Sequence, residues 1–293
     1  MDFETLKLSD KDLFESYIDN GLSFENNFAT MFVWNAVEGL EYKWAVYENA
    51  LIVKVMVGGK EIFDIPRTKD ENLDKYVEAV LAYCNQNGIP FEMKMLESKI
   101  EGLSAETKAK FDFKPIPNQW DYIYTASDLI ELKGSKFQKK RNLLSQFVRK
   151  YQHTFVDYDR QKHYQQIFDF QEKWRQNVKN DDDNWEIEAL KCALDNLEAL
   201  NLFCDVIEID GKLSAFSVSS RPSPRSGEVL FEKGDVQYKG IYAAIVNFTA
   251  KKHFADAEFI NRQEDMGLPN IRRAKLAFNP TMQIKKFMLE LKK

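Results

Sequence analysis

The sequence predicts a mixed α/β (α+β) fold of two domains in tandem, each a mixed, mostly antiparallel sheet flanked by helices. Three observations carry that prediction. At 293 residues the chain exceeds what one hydrophobic core usually organises. Strand-like runs alternate with helix-like runs along its whole length. The order of those runs also recurs, with meandering strands, then strand–helix–strand, then a short helix and a last strand in each half. No sequence repeat of roughly 20–50 residues accompanies the recurrence, so the duplication is one of pattern. The boundary is placed at 125/126, with 1–125 a degenerate copy and 126–293 the working one.

In the first half, 13–19 and 28–34 read as helices. LEYKWAVYEN and ALIVKVMV are alternating or continuous apolar runs, and Gly58-Gly59 turns the second into EIFDIP, a hairpin signal that Pro66 stops. Over 70–86, Leu73, Val77, Val80, Leu81 and Cys84 follow a helical period, ended by Gly88 and Pro90. FEMKML is a strand, 99–110 a helix and FDFKP a short strand. In the second half WDYIYT is a strand, and a helix opens in LKGSKFQKKRN and runs to about Tyr151. Residues 162–178 and 185–200 are helices. LFCDVIEI, KLSAFSVSS and GEVLFEKG are three strands turned at Gly211 and at 222–227. Residues 241–254 form a helix, AEFIN a strand, 269–277 a helix, and MQIKKFMLEL one alternating final strand.

Composition excludes several classes. With 44% hydrophobic and 13% aromatic residues the chain has ample material for packed interiors. Cys84, Cys192 and Cys204 are far apart and form no C-x-x-C pair, which fits a reducing compartment without a disulfide framework. The N-terminus MDFETLKLSD has no apolar leader, and ALIVKVMV is broken by Lys54 and too short to span a bilayer. The expectation is a soluble, cytoplasmic protein. His153, His163 and His253 are scattered, so no metal is expected. There is no G-x-S-x-G elbow and no phosphate-binding lysine loop. NDDDNW over 180–185 lacks calcium-loop spacing and reads as a loop capping the next helix. Trp174 and Trp185 read as core or lid aromatics.

Charge is unevenly divided. Residues 1–125 hold 13 Lys+Arg against 22 Asp+Glu, whereas 126–293 hold 28 against 24. An anionic ligand would therefore meet the second half. Within it, LKGSKFQKKRN carries Lys133, Lys136, Lys139, Lys140 and Arg141 with no acid. Ser135-x-x-Gln138 has the form of a capping box with Ser135 as N-cap, and Phe137, Leu144, Phe147 and Tyr151 form a buried stripe. Lys136, Lys139 and Lys140 then share one face at a helix N-terminus, where the macrodipole disfavours cations unless an anion joins them. Two other readings stay open. The lysine stems can lie over apolar surface with their heads in water, and the composition also fits a nuclear-localisation or nucleic-acid patch. Nothing else in the chain points to generic DNA binding.

Further on, GEVLFEKGDVQYKGIYAAIVNF reads strand, loop, helix. Gly240 at the helix start either lets backbone N–H groups approach a pyrophosphate or makes a tight turn. GNAT-type acyltransferases carry Gln/Arg-x-x-Gly-x-Gly/Ala at such a junction, where it cradles the coenzyme A pyrophosphate. Gln237 and Gly240 match, and Tyr242 stands where the second small residue is expected. A tyrosine there crowds a pyrophosphate.

Asp121-Tyr122, LKGSKFQKKRN, FEKGD and FINRQEDMGLPNIRRAKLAFNP, in that order, resemble an uncharacterised bacterial family grouped with the C-terminal domain of phosphatidylglycerol lysyltransferase. The resemblance spans most of the chain, with its distinctive motifs from about residue 120 onward. It implies two GNAT-like domains in tandem, as in the Fem peptidyltransferases, and transfer of an aminoacyl group from tRNA to a lipid headgroup or another amine or hydroxyl acceptor. The alternatives are an acyl-CoA N-acyltransferase, or a ligand-binding protein that keeps the fold without the reaction.

Acyl transfer needs positioning, a base for the acceptor, and a donor to the developing oxyanion. FEKGD and FINRQED end neighbouring strands, and ligands bind at strand C-termini in open α/β sheets. Glu232 and Asp235 are the candidate bases, with Tyr238 or Tyr242 the proton donor to the leaving group. Lys136, Lys139, Lys140, Lys239, Gly240, Tyr242 and Arg262 are the candidate contacts of a phosphate-bearing donor. Arg262 can also simply pair with Glu264 or Asp265 to tie a loop. Arg272, Arg273 and Lys275 read as a solvated face or a further phosphate contact.

Overall fold

A computed structural model of the chain describes residues 1–18, 27–70, 72–177 and 183–292, with all their side chains except those of 174–177, 183 and 184. Asp19, the side chain of Trp174, Val178 and the 180–182 part of the acidic loop lie outside the described residues. The chain divides into two compact units. One is built from residues up to Trp120 together with Ile284 onward, the other from Asp121–Gln283. The boundary expected at 125/126 lies one strand beyond this division, and the C-terminus returns to the first unit.

In the first unit, β1 (Glu4–Thr5), β2 (Leu40–Tyr47), β3 (Ala50–Val57), β4 (Lys60–Phe63), β5 (Arg67–Thr68), β6 (Glu92–Leu96) and β7 (Phe111–Pro115) join the C-terminal strand in one sheet. Gly58 and Gly59 take φ of 56° and 77°, which makes the β3–β4 hairpin a glycine turn as expected. Around the sheet lie α1 (Lys11–Glu15), α2 (Phe28–Trp34), α3 (Leu73–Asn87), α4 (Glu97–Gly102) and α5 (Ala105–Lys110). The helix α3 joins the parallel pair β4 and β6 and lays Tyr76, Val77, Val80 and Cys84 against Phe63, Met93, Met95 and Phe111. The single helix expected over 99–110 is two. Leu103 drops into the core in an extended conformation, and the Ser104 hydroxyl accepts from Thr107 N–H to cap a new helix.

The second unit contains β8 (Asp121–Thr125), α6 (Ala126–Glu131), α7 (Gln138–Lys150), β9 (His153–Asp157), α8 (Arg160–Asn177), α9 (Asp183–Asp195), β10 (Leu202–Ile209), β11 (Lys212–Ser223), β12 (Ser226–Gly234), α10 (Ile241–His253), β13 (Phe259–Asn261), α11 (Pro269–Leu276) and β14 (Met282–Ile284). Its sheet runs β14-β8-β13-β12-β11-β10-β9. Here too one parallel pair, β12 and β13 with Gly227 opposite Ile260, is joined by a helix, α10. Ile207, Ile209 and Ala215 of the sheet pack on Ile241, Ala244 and Ile245 of α10 and on Phe147 of α7. The edge strand β9 has no counterpart among the expected elements. Trp185 is exposed.

The final strand departs from expectation most. MQIKKFMLEL is two strands in two sheets. After β14 the chain leaves the second sheet, and β15 (Lys286–Leu291) pairs antiparallel with β6 and β7 in the first. In the second sheet the position beside β13 is filled by β8, from the middle of the chain. Each sheet is completed by a strand remote in sequence.

Candidate functional site

The basic segment opens with glycine chemistry. Gly134 has φ 84°, and residues Ser135–Phe137 make a 3-10 turn before α7 begins at Gln138. The expected capping box is absent, since neither Ser135 nor Gln138 makes a capping side-chain bond. Arg141 ties the turn before it, its Nη1 donating to Gly134 O at 2.7 Å and to Leu132 O. The first turn of α7 holds no acid and no side-chain cap, so the dipole penalty on its lysines stands.

Lys136, Lys139 and Lys239 come together. They line an open cleft of about 490 Å³ with Ser135, Gln138, Asn142, Leu143 and Gln146, and no acid lies among these lining residues. Lys136 is exposed and partly committed, its Nζ 2.9 Å from Asp128 Oδ2. Lys140 goes elsewhere. Successive helical residues point about 100° apart, and Lys140 Nζ sits 3.7 Å from the centre of the Phe278 ring. The expected shared face of all three lysines is therefore split.

On that inner side Arg262 Nη2 donates to Glu232 Oε1 at 2.6 Å, and both side chains are about nine-tenths buried. The guanidinium lies 4.8 Å from the Phe278 ring centre and 5.4 Å from that of Tyr124. Its Nη1 is buried without a hydrogen-bond partner among the described residues. Burial pushes Lys140 down to about 8, with Arg262 and Lys139 acting in the same sense and Glu232 against. Lys275, expected on a solvated face or at a phosphate, is half-buried and donates to the Arg262 carbonyl. Burial and Arg262 bring it too to about 8. Phe278, Tyr124 and the inward turn of Lys140 carry no strong mark in the sequence. The only local signal is that Phe278 lies at the FNP end of the last family motif.

The remaining candidates have structural partners. Asp235 folds its own loop, its carboxylate accepting from the N–H of Gln237 at 3.0 Å and from the Gln237 amide. The Tyr238 ring meets Tyr151 edge-on at 5.2 Å, and Tyr151 Oη accepts from Lys239 N–H at 3.2 Å. Tyr242 is half-buried against the cluster beneath α10. Gly240 has φ 97°, and a Cβ there would stand 2.3 Å from the Leu143 carbonyl oxygen. Its missing side chain thus lets α10 pack on α7, and the N–H of Ile241 is already bonded to Tyr238 O. Arg262 does not pair with Asp265. The Asp265 carboxylate is held by Tyr122 Oη at 2.7 Å, Arg272 Nε at 2.7 Å and Gly267 N–H at 2.8 Å.

Two sheets, each with one helix-joined parallel pair, give the chain a tandem GNAT-like fold, and its second unit carries an acid-free lysine cleft and a buried Glu–Arg pair. The chain belongs to the family described as phosphatidylglycerol lysyltransferase, C-terminal, whose model matches residues 21–290. It is similar to an uncharacterized protein of Mycoplasmoides gallisepticum, 22% identical over 240 residues, covering 79% of this chain and 76% of that one. A conserved protein of unknown function from Bacteroides thetaiotaomicron has the same fold, with a TM-score of 0.90, 27% identity and 99% of each chain covered. L-PGS of Bacillus licheniformis shares the fold at a TM-score of 0.67 and 13% identity, covering 96% of this chain and 92% of that one. Among the described residues no helix is long and apolar enough to cross a membrane.

Proposed function

We propose that the protein transfers an aminoacyl group from a tRNA donor to an amine or hydroxyl acceptor, such as a small molecule or a lipid headgroup, with the reaction in the second unit. The observation that carries this reading is the cleft where Lys136, Lys139 and Lys239 converge with no acid among the lining residues. A polyanionic donor suits such a surface. In the transfer the acceptor attacks the ester carbonyl, a new amide or ester bond forms, and the ester bond to the ribose breaks. The acceptor's proton passes to the ribose oxygen, with Tyr238 the candidate to assist. Glu232 and Asp235 are each committed to a neighbour, so positioning and charge, more than a free base, are what this site offers.

Coenzyme A fits less well as donor. Gly240 is used for helix packing, and the adjacent N–H groups of Lys239 and Ile241 are bonded. A non-catalytic binding role is the second reading, favoured by the absence of an uncommitted carboxylate among the candidate bases.

Filter binding of aminoacylated tRNA across a salt series tests the proposal. Binding should weaken steeply with salt, and Lys136→Ala, Lys139→Ala and Lys239→Ala should each flatten the log–log slope by roughly one unit. No binding at low salt would remove tRNA as donor. Binding without transfer to any acceptor would favour the second reading.

A further inference from the structure

Lys140 and Arg262 come from segments 122 residues apart and lie against one ring, Phe278. Arg262 spends Nη2 on Glu232 and keeps Nη1 buried without a hydrogen bond among the described residues. Lys140 has no carboxylate within salt-bridge distance among the described residues. The charged groups acting on it are Arg262, Lys139 and Glu232. Two cations, Lys140 and Arg262, face one carboxylate, Glu232, on this side of the helix, an excess of one positive charge, and Lys139 adds to it from the cleft side. Lys275, whose Nζ meets the Arg262 carbonyl, is acted on by Arg262, Glu264, Glu232 and Asp121. Bringing two like charges to one aromatic ring is unfavourable unless a counter-charge joins them.

We propose that Lys140 and Arg262, floored by Phe278, bind one tetrahedral oxyanion of the phosphate-monoester class, at a site across α7 from the lysine cleft. The proposal deepens the transfer reading of the second unit, on which it rests for its biological context, by assigning a ligand group to the inner side. A phosphate-monoester anion supplies the counter-charge that Glu232 alone leaves incomplete. The Arg262 Nη1 that Glu232 leaves unused and the Lys140 ammonium can each bond a different oxygen of a tetrahedral group. The aromatic floor keeps the stem of Lys140 and the plane of Arg262 in place before the ligand arrives.

The test is equilibrium binding of inorganic phosphate to the full chain, at constant ionic strength set with chloride. Thermal unfolding and calorimetry at pH 8 in two buffers of different ionisation enthalpy give the readout. Expected is a saturable rise in Tm, with proton uptake on binding because the oxyanion draws Lys140 toward its charged form. Lys140→Met should abolish the response. Lys140→Arg should keep the binding and lose most of the uptake, which no loss of folding can mimic. Lys136→Ala with Lys239→Ala should leave the response intact. A phosphate response lost in that double variant and kept in Lys140→Met would overturn the proposal, as would no response to phosphate. A response to acetate equal to that of phosphate would overturn the ligand class. The readout needs no turnover, so failure to detect transferase activity bears on the functional reading and not on this site.

Discussion

Glu232 lies two residues before the end of β12 and Arg262 follows β13, and the two meet at 2.6 Å with about a tenth of each side chain exposed. The parallel pairing of their strands brings the two segments side by side. The pair sets the chemistry of the site. A carboxylate bound to a guanidinium at that distance is a poor general base, and it can serve instead to hold the arginine against Phe278 and Tyr124.

Glu232→Gln should therefore act first on stability. Removing one partner of a buried ion pair leaves the other uncompensated and costs about 3 kcal/mol. For a unit of this size that is a fall of about 6–12 °C in Tm. If Glu232 were an uncommitted base, the variant would lose turnover and keep its Tm.

Gly134 in the basic segment and Gly240 before α10 should behave differently. Gly240→Ala adds a Cβ 2.3 Å from a backbone carbonyl at φ 97° and should cost about 2–4 kcal/mol. Gly134→Ala has φ 84° and nothing within 4 Å, so strain alone should cost about 1 kcal/mol. Urea unfolding of both variants checks the ranking. Equal costs would mean that packing on Leu143 is unimportant.

Lys140 should give a signature in alkaline solution. Its pKa is lowered from the ordinary 10.5 to about 8, so between those values the unfolded chain binds the extra proton. Stability from this group therefore rises with pH through that window. Below pH 8 the charged, desolvated lysine is a cost. Lys140→Met should be more stable than the parent at pH 7, and the advantage should shrink toward pH 10. Paired urea titrations at the two pH values isolate Lys140 from Lys275, which titrates in the same range.

Asp265 should move stability with pH in the same direction, but in acid. Burial alone would raise its pKa, yet the bonds from Arg272, Tyr122 and the Gly267 N–H hold it below the ordinary 3.8. Its contribution is present above that value and is lost as pH falls through the folded pKa. Asp265→Asn should cost about 2 kcal/mol at neutral pH and little in strong acid, with Tyr122→Phe costing about 1 kcal/mol. A cost for Asp265→Asn independent of pH would contradict the carboxylate's role.

Much of the second unit is legible in its amino-acid pattern. The LFCDVIEI, KLSAFSVSS and GEVLFEKG strands and the helix from Ile241 follow from apolar periodicity, and the structure matches them to within a few residues. Charge alone marks Lys136, Lys139 and Lys239, and they do converge on one cleft. Asp235 is not legible as a loop tie, because its partner Gln237 carries no charge to announce it. Lys275 reads as surface because its burial depends on a contact with the carbonyl of Arg262, 13 residues earlier.

Local pattern by itself determined the element types, the tandem mixed α/β plan and the basic character of α7. Those properties depend on neighbours within a turn or a hairpin, where side-chain period and charge are read directly. The tertiary structure alone decided that MQIKKFMLEL divides between two sheets, and that Lys139 and Lys140 serve opposite sides of one helix. It also decided that Glu232 takes Arg262, and that Gly240 is a packing residue. Each of these rests on a contact between distant segments, and such contacts depend on strand order and register, which periodicity leaves open.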